Sequence, residues 1–550
     1  MAVAQSGDTP PLIAVERLPF LHDKGDSGRR YIVETMGSGG ALFDVDADGD
    51  LDLYLLNGAP LPGCARPPRG NAVLLNDGAG NFSAAADARG LADTGYGMGC
   101  CVGDIDNDGD PDVYVTNFGR NRLLRNDGGR FTDTTDVAGV GDERWGASAG
   151  FADFDRDGDL DLYVTNYLAF TIAVHKECSL GKGIPAYCSP DAYPAARDVL
   201  YLNNGDGTFV DATAAWGIAA PSADASGGKG LGVLCLDYDR DGYVDVYVAN
   251  DGVANTLYRN VGGKRFEDAT LIAGVGYNDD GMAQAGMGVT AADFVGDGFP
   301  EIFVTNLSSE TNVLYRSRGH DWFEDATVSA RLGAASRLYT GFGTVSGDFD
   351  ADGDVDLFVA NGHVIDNIRQ FYDYYDYKQC DQWFENSAGV FTEQTRRWVA
   401  QESAPVEAGR GAMLGDVDGD GDLDCVVTNC GGPALLYRSS MSTLARHWIT
   451  IELQGILPRD PVGARVEIVA GGKKQMAAWH GGGSYLCHDD TRLYFGLGKA
   501  KKVEQVVVTW PRTGQRTVLQ DVAVDRVLQV TEPEAAPKPK GTTQPKRATS

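Results

Sequence analysis

A chain of 550 residues, 43% apolar and 9% aromatic, is long enough to bury a large core, and its formal charge of −31 argues against nucleic acid or an anionic membrane as a partner. No stretch reaches the ~20 consecutive apolar residues that a membrane-crossing helix needs. Glycine, with 72 residues, stands at about twice its usual share without a collagen period, which predicts many tight turns between short strands.

Residues 1–15 read as an N-terminal segment. They lack the basic and apolar regions of a secretory signal, although Ala2-Val3-Ala4 resembles the small-residue end of a cleavage site. An extracellular or periplasmic location is expected, with a cytoplasmic chain as the alternative.

From residue 16 to 440 one pattern recurs. Its first copy places Asp44, Asp46, Asp48, Asp50 and Asp52 at alternate positions, with Gly49 sixth. The second has Asp104, Asp106, Asp108, Asp110 and Asp112, and the third Asp153, Asp155, Asp157, Asp159 and Asp161. The fourth keeps Asp237, Asp239, Asp241 and Asp245 with Tyr243 seventh, while the fifth keeps only Asp293, Asp297 and Glu301, with Val295 third. The sixth has Asp348, Asp350, Asp352, Asp354 and Asp356, and the last Asp416, Asp418, Asp420, Asp422 and Asp424. First aspartates recur on average every 62 residues.

Each copy follows a Gly-rich apolar run such as Gly40-Ala-Leu-Phe43 and precedes an alternating strand such as Val113-Tyr-Val-Thr-Asn117. A later signature, as in Leu202-Asn-Asn-Gly-Asp-Gly-Thr-Phe-Val-Asp211, reads as a strand, a Gly turn and a returning strand. One repeat is therefore about four short strands. The expected fold is all-β: a seven-bladed β-propeller whose hairpin loops bind Ca²⁺, plus a small C-terminal β domain.

Alternate aspartates put several carboxylates on the inside of one turn, the sixth-position glycine permits the bend, and the seventh residue can offer its carbonyl. Such hard oxygen ligands suit Ca²⁺. An EF-hand would need glutamate at position 12, where this chain has Leu55, Val115, Val164, Val248, Val359 or Val427. The last carboxylate must come from position 9. Six complete loops and a weak seventh at 293–301 are expected.

Two insertions interrupt the repeat, near Tyr167–Arg197 and at Ile368–Asp381, the latter with Tyr372, Tyr374, Tyr375 and Tyr377. They read equally as binding-face loops or as padding. Cys178 and Cys188 form a candidate disulfide. Residues 441–531 continue the strand pattern without the aspartate loop and are expected to be compact on their own; 532–550 read as a disordered tail.

The loops resemble FG-GAP/VCBS repeats of integrin-α-like propellers. Val462-Gly-Ala-Arg-Val-Glu-Ile, Gly483-Ser-Tyr485, Tyr494-Phe-Gly-Leu-Gly498 and Val506-Val-Val-Thr-Trp-Pro511 resemble an ASPIC/UnbV domain. Together they resemble the cartilage acidic protein family, which implies a calcium-binding or adhesion module that meets a protein, glycan or small-molecule ligand. The alternative is a calcium-stabilised enzyme, a cyclase or isomerase of secondary metabolism, using the propeller's central pocket. Gly146-Ala-Ser148-Ala-Gly150 matches a nucleophile elbow only in letters, because it leads into an aspartate loop rather than a helix. His480 and His488 read as surface polar residues, with a transition-metal site beside Asp489 and Asp490 as the alternative, and His363 reads as a pocket candidate.

Overall fold

The computed structural model describes residues 13–181, 183–218, 228–399, 404–440 and 445–534. The expected disordered tail lies almost wholly outside them. Among the described residues, seven sheets carry the repeat, each built on four antiparallel strands that in six of them follow chain order, such as Gly97–Gly103, Asp112–Asn117, Gly119–Asn126 and Phe131–Asp133. The seventh sheet takes its fourth strand from the other end of the chain: Ile13–Leu21 pairs with Pro433–Ser439, from Ile13 opposite Ser439 to Leu21 opposite Pro433. Residues 13–15, expected in the N-terminal segment, thus pair with the seventh sheet.

The first strand of each sheet is innermost. These strands touch their neighbours in succession, and Gly40–Phe43 of the first sheet packs against Gly409–Gly415 of the seventh. Their glycines allow that closeness. A Cβ at Gly288 would lie 2.1 Å from the Phe342 carbonyl oxygen of the next sheet, and one at Gly411 would lie 2.2 Å from Cys487 Sγ. The Gly-rich apolar runs are thus the walls of a narrow axis.

The C-terminal region forms two further sheets. One contains Leu493–Gly498, His447–Gln454 and Val527–Thr531; the other contains Lys473–Ala478, Arg465–Ala470, Val503–Thr509 and Arg516–Val522. The C-terminal region, expected to be compact on its own, also packs on the propeller. Its apolar interior is continuous with that of the third and fourth propeller sheets, with Phe151, Phe154 and Val244 in the same buried cluster as Val462, Val508 and Trp510.

A loop from this region also runs through the propeller axis. Gly481–Gly482 adds to the fourth sheet beside Leu234 and Cys235, and Cys487–His488 pairs in parallel with Gly40 and Ala41 of the first. Between them, Ser484 exchanges backbone bonds with Val289 of the fifth sheet at 2.7 and 3.0 Å, and its hydroxyl donates to the Ala412 carbonyl of the seventh at 2.7 Å. The Leu486 carbonyl accepts from Cys100 of the second sheet, and its N–H donates to Ser148 Oγ of the third at 3.0 Å. The Tyr485 ring meets Phe342 of the sixth edge-on, with centroids 4.9 Å apart. One loop thus reaches every sheet, and the inner strands, whose polar groups would otherwise face an open channel, bond to it.

Candidate metal-binding loops

Each aspartate loop joins the first and second strands of its sheet, so all seven lie at one end of the propeller. Their internal bonding is uniform. The sixth-position glycine N–H donates to the first carboxylate in every loop, from Gly49 to Asp44 at 2.9 Å through to Gly421 to Asp416 at 3.0 Å. Those glycines have φ between 88 and 108°, a region that side chains rarely adopt. The seventh residue's N–H donates to the fifth carboxylate, as from Asp50 to Asp48 at 3.0 Å and from Tyr243 to Asp241 at 2.8 Å.

The ninth residue ties the loop to the sheet. Asp112 is fully buried and accepts from Ile105 N–H at 3.0 Å and from Asn126 N–H, on the third strand, at 2.7 Å. Asp52, Asp161, Asp245, Asp356 and Asp424 repeat both bonds. Glu301 differs. It accepts from Phe294 N–H at 2.8 Å, but its Oε1 is buried without a partner.

Carboxylate oxygens converge in the loops. Asp44, Asp46 and Asp48 come within 4.8 Å of one another, as do Asp104, Asp106 and Asp108. So do Asp153, Asp155 and Asp161, then Asp237, Asp239 and Asp245, then Asp348, Asp350 and Asp356. Among these, Asp46, Asp153 and Asp237 keep a buried Oδ1 with no hydrogen-bond donor, as does Asp418 of the last loop. Buried acceptors are nearly always satisfied, and a cation would satisfy these. The donors are all oxygen, which fits a hard divalent ion, and several of these clusters can hold a metal.

The electrostatics agree. Burial, and then repulsion from Asp157 and Asp155, pushes Asp153 up to about 7; burial, then Asp239 and Asp241, does the same to Asp237. Asp112 rises to about 8 through burial, against the two backbone bonds it accepts. Arginines relieve part of the repulsion: Arg89 pairs with Asp46 at 2.7 Å, Arg438 with Asp418 at 2.8 Å and Arg446 with Asp350 at 2.7 Å.

Seventh-position side chains turn outward to other work. Asp110 accepts from Gly128 N–H at 2.7 Å and Asp354 pairs with Lys473 at 2.8 Å. In the fifth loop, Val295 occupies the third position, and a Cβ on Gly389 of the next sheet would lie 2.6 Å from its Cγ1. A packing contact stands there in place of a carboxylate.

Sequence reasoning missed a set of asparagines. Asn203 and Asn260 end a third strand, Asn386 is the last but one of its strand, and each Nδ2 donates to two loop carbonyls. One bond goes to the eighth-position carbonyl of its own loop, and the other crosses to the second-position carbonyl of the preceding loop: Ile105 at 2.9 Å, Phe154 at 2.8 Å and Phe294 at 2.8 Å. Asn76 does the same across the ring closure, reaching Val417 at 2.7 Å. The signal was present as the asparagine before each Gly turn, but it read only as turn chemistry.

The other singled-out residues resolve differently. Ser148 lies on an inner strand and serves the axial loop. His488, expected at the surface, is buried, and burial holds its imidazole down at about 4; His480 is half-buried and held down to the same level by desolvation. His363 is buried, its Nδ1 accepting from Ile365 N–H at 3.0 Å. The central pocket of the enzymatic alternative is taken up along the axis by Gly481–His488. Cys178 and Cys188 do form a disulfide.

The C-terminal sheets cover the loop end. Asp104 N–H donates to Asp460 at 2.9 Å, Arg459 donates to the Asn107 carbonyl at 2.9 Å, and Asp416 N–H donates to Tyr494 Oη at 3.2 Å. A Cβ on Gly421 would lie 1.9 Å from the Trp448 ring.

FG-GAP-like repeats match residues 44–115, 104–164, 191–248, 237–304, 294–359 and 348–427, and the ASPIC and UnbV domain matches 457–537. Cartilage acidic protein 1 of Mus musculus is 25% identical over 360 residues, covering 62% of this chain and 49% of that protein. Its Homo sapiens counterpart is 28% identical over 284 residues, covering 48% and 38%. The chain thus spans about half or less of the length of these relatives. Among solved structures, an Agrocybe aegerita lectin described as recognising non-reducing terminal N-acetylglucosamine is 17% identical, covering 67% of this chain and 84% of its own, with a TM-score of 0.40 that carries no argument. With FG-GAP-like repeats over most of its length and an ASPIC and UnbV domain behind them, the chain belongs to the FG-GAP-like repeat family and is similar to the cartilage acidic proteins.

Proposed function

We propose that this is a secreted or surface calcium-binding protein that acts as a binding or adhesion module. Calcium fixes six of the loops, with the first, third, fifth and ninth carboxylates and the seventh carbonyl as ligands, and the fifth loop binds weakly or not at all. The observation that carries this reading is the convergence of carboxylate oxygens within 4.8 Å in loop after loop, with unpartnered buried oxygens among them. The Cys178–Cys188 disulfide suits an oxidising compartment, and the name of the relatives is in keeping with that location.

The ligand-binding face is the end opposite the loops. Both insertions leave from connections between second and third strands, so topology puts them there. They pack on each other, with Tyr187 against Ile365 and Ile368 and with Asn367 donating to the Pro185 carbonyl at 3.0 Å. Tyr372 and Tyr374 stay 45% and 60% exposed beside Tyr375, large amphipathic surfaces of the kind that interfaces favour. The test is a screen of glycans, proteins and small molecules against the calcium-loaded and calcium-free chain. A calcium-dependent ligand lost in a Tyr372→Ala/Tyr374→Ala variant is expected. A ligand that binds equally without calcium and with both tyrosines removed would contradict the reading.

A further inference from the structure

The fourth and fifth loops and the C-terminal sheet enclose a cavity of about 330 Å³. Its walls carry three cationic side chains, Arg240, Lys474 and Arg516, and three acidic ones, Glu467, Asp293 and Asp297. Arg240 is the fourth residue of the fourth loop, and its guanidinium lies over the Phe299 ring, 3.6 Å from the centroid. That stacking fixes its plane. The Nε and Nη2 hydrogens along one edge are buried and have no acceptor. Arg465 begins the C-terminal strand Arg465–Ala470, whose Glu467, Ile468 and Val469 line the cavity. Its own Nε is also buried without a hydrogen bond, and the nearest carboxylate oxygen, Glu467 Oε1, is 3.8 Å away. Arg516 reaches the other oxygen of Glu467 only at 3.8 Å.

Guanidinium groups with buried donors unspent oppose folding unless something answers them. An arginine in a protein does not shed its proton, so the answer is an acceptor. The free edge of Arg240 is the one that grips an oxyanion through two parallel N–H bonds. The acidic wall residues are partly engaged: Asp293 accepts from Gly296, Asp297 and Gly298, and Asp297 accepts from Phe299.

We propose that this cavity binds an oxyanion, a carboxylate, sulfate or phosphate group, on the Nε–Nη2 edge of Arg240, with Lys474 and Arg516 closing round it. The site lies at the loop end of the propeller, away from the insertion face, and is independent of it.

The experiment titrates full-length, calcium-loaded protein with sodium sulfate, sodium phosphate and sodium glucuronate by calorimetry and thermal shift, with sodium chloride at matched ionic strength as control. The three arms identify which oxyanion the site prefers. At least one should bind saturably, and Arg240→Gln should weaken it ten-fold or more with calcium content unchanged by native mass spectrometry. Arg516→Gln, an exposed change that spares the loop, should weaken it several-fold. The proposal is overturned if none of the three exceeds chloride, or if both variants bind as the parent does.

Discussion

The sharpest consequence of the axial loop concerns Leu486. This side chain is fully buried in a cluster with Met36, Met98, Ala147, Leu231 and Phe342, which come from different parts of the propeller. Truncating a buried leucine to alanine costs about 2–5 kcal/mol, depending on how far the surroundings relax. Leu486→Ala keeps the backbone bonds to Cys100 and Ser148, so the loss should fall near that range. Leu457→Ala, in the same C-terminal region but 41% exposed, should change stability by no more than about 0.5 kcal/mol. The assay is guanidinium denaturation of calcium-loaded protein, with hydrogen exchange followed in peptides covering 97–103 and 230–236. Leu486→Ala should lower the midpoint of the main transition and speed exchange in those inner strands, although neither peptide belongs to the C-terminal region. If only a separate C-terminal transition moved, or exchange in the inner strands stayed as in the parent, the axial loop would be an ornament and the reasoning would fail.

Position nine should matter beyond metal binding. Asp112→Ala strands two buried N–H groups, each costing about 1–3 kcal/mol, so it should destabilise the protein even without calcium, whereas Asp108→Ala, which frees only the exposed Asp110 N–H, should cost little there; calcium-free denaturation compares them. The loops should also differ in calcium: Asp348→Ala should lose one ion by native mass spectrometry and Asp293→Ala none, equal losses overturning that ranking. The pH dependence follows from Asp112 at about 8 and Asp153 and Asp237 at about 7, all raised above their unfolded values near 4. The calcium-free fold therefore holds more protons than the unfolded chain, and its stability should decline as pH rises from about 4 through 8. Thermal melts of dialysed protein at pH 5 and pH 8 should show it more stable at pH 5; the reverse order would refute the assignment.

What the sequence made legible was what local chemistry encodes. Asp44 to Asp52 and its six counterparts announce their turn because glycine six, carboxylate one and carboxylate nine act within a single hairpin. The strands on either side follow from alternation. The closing strand Ile13–Leu21 was harder, since its partner lies more than four hundred residues away and nothing in its own pattern names Pro433–Ser439. The axial path of Gly481–Cys487 was not legible because its partners are mostly backbone carbonyls and amides of distant strands. His480 and His488 flank that loop, and their burial follows from its path rather than from their own neighbours in the chain. The cross-loop bonds of Asn76, Asn203, Asn260 and Asn386 were hidden for the same reason.

The central claim is that the loops are calcium sites, and calcium per chain in the native protein tests it most directly. Protein dialysed against trace calcium and analysed by native mass spectrometry should carry six ions, and chelation should lower its melting temperature substantially, since each site held at ~1,000 times its dissociation constant adds about 4 kcal/mol. A chain that carries no calcium, and melts at the same temperature in excess chelator, would contradict the account.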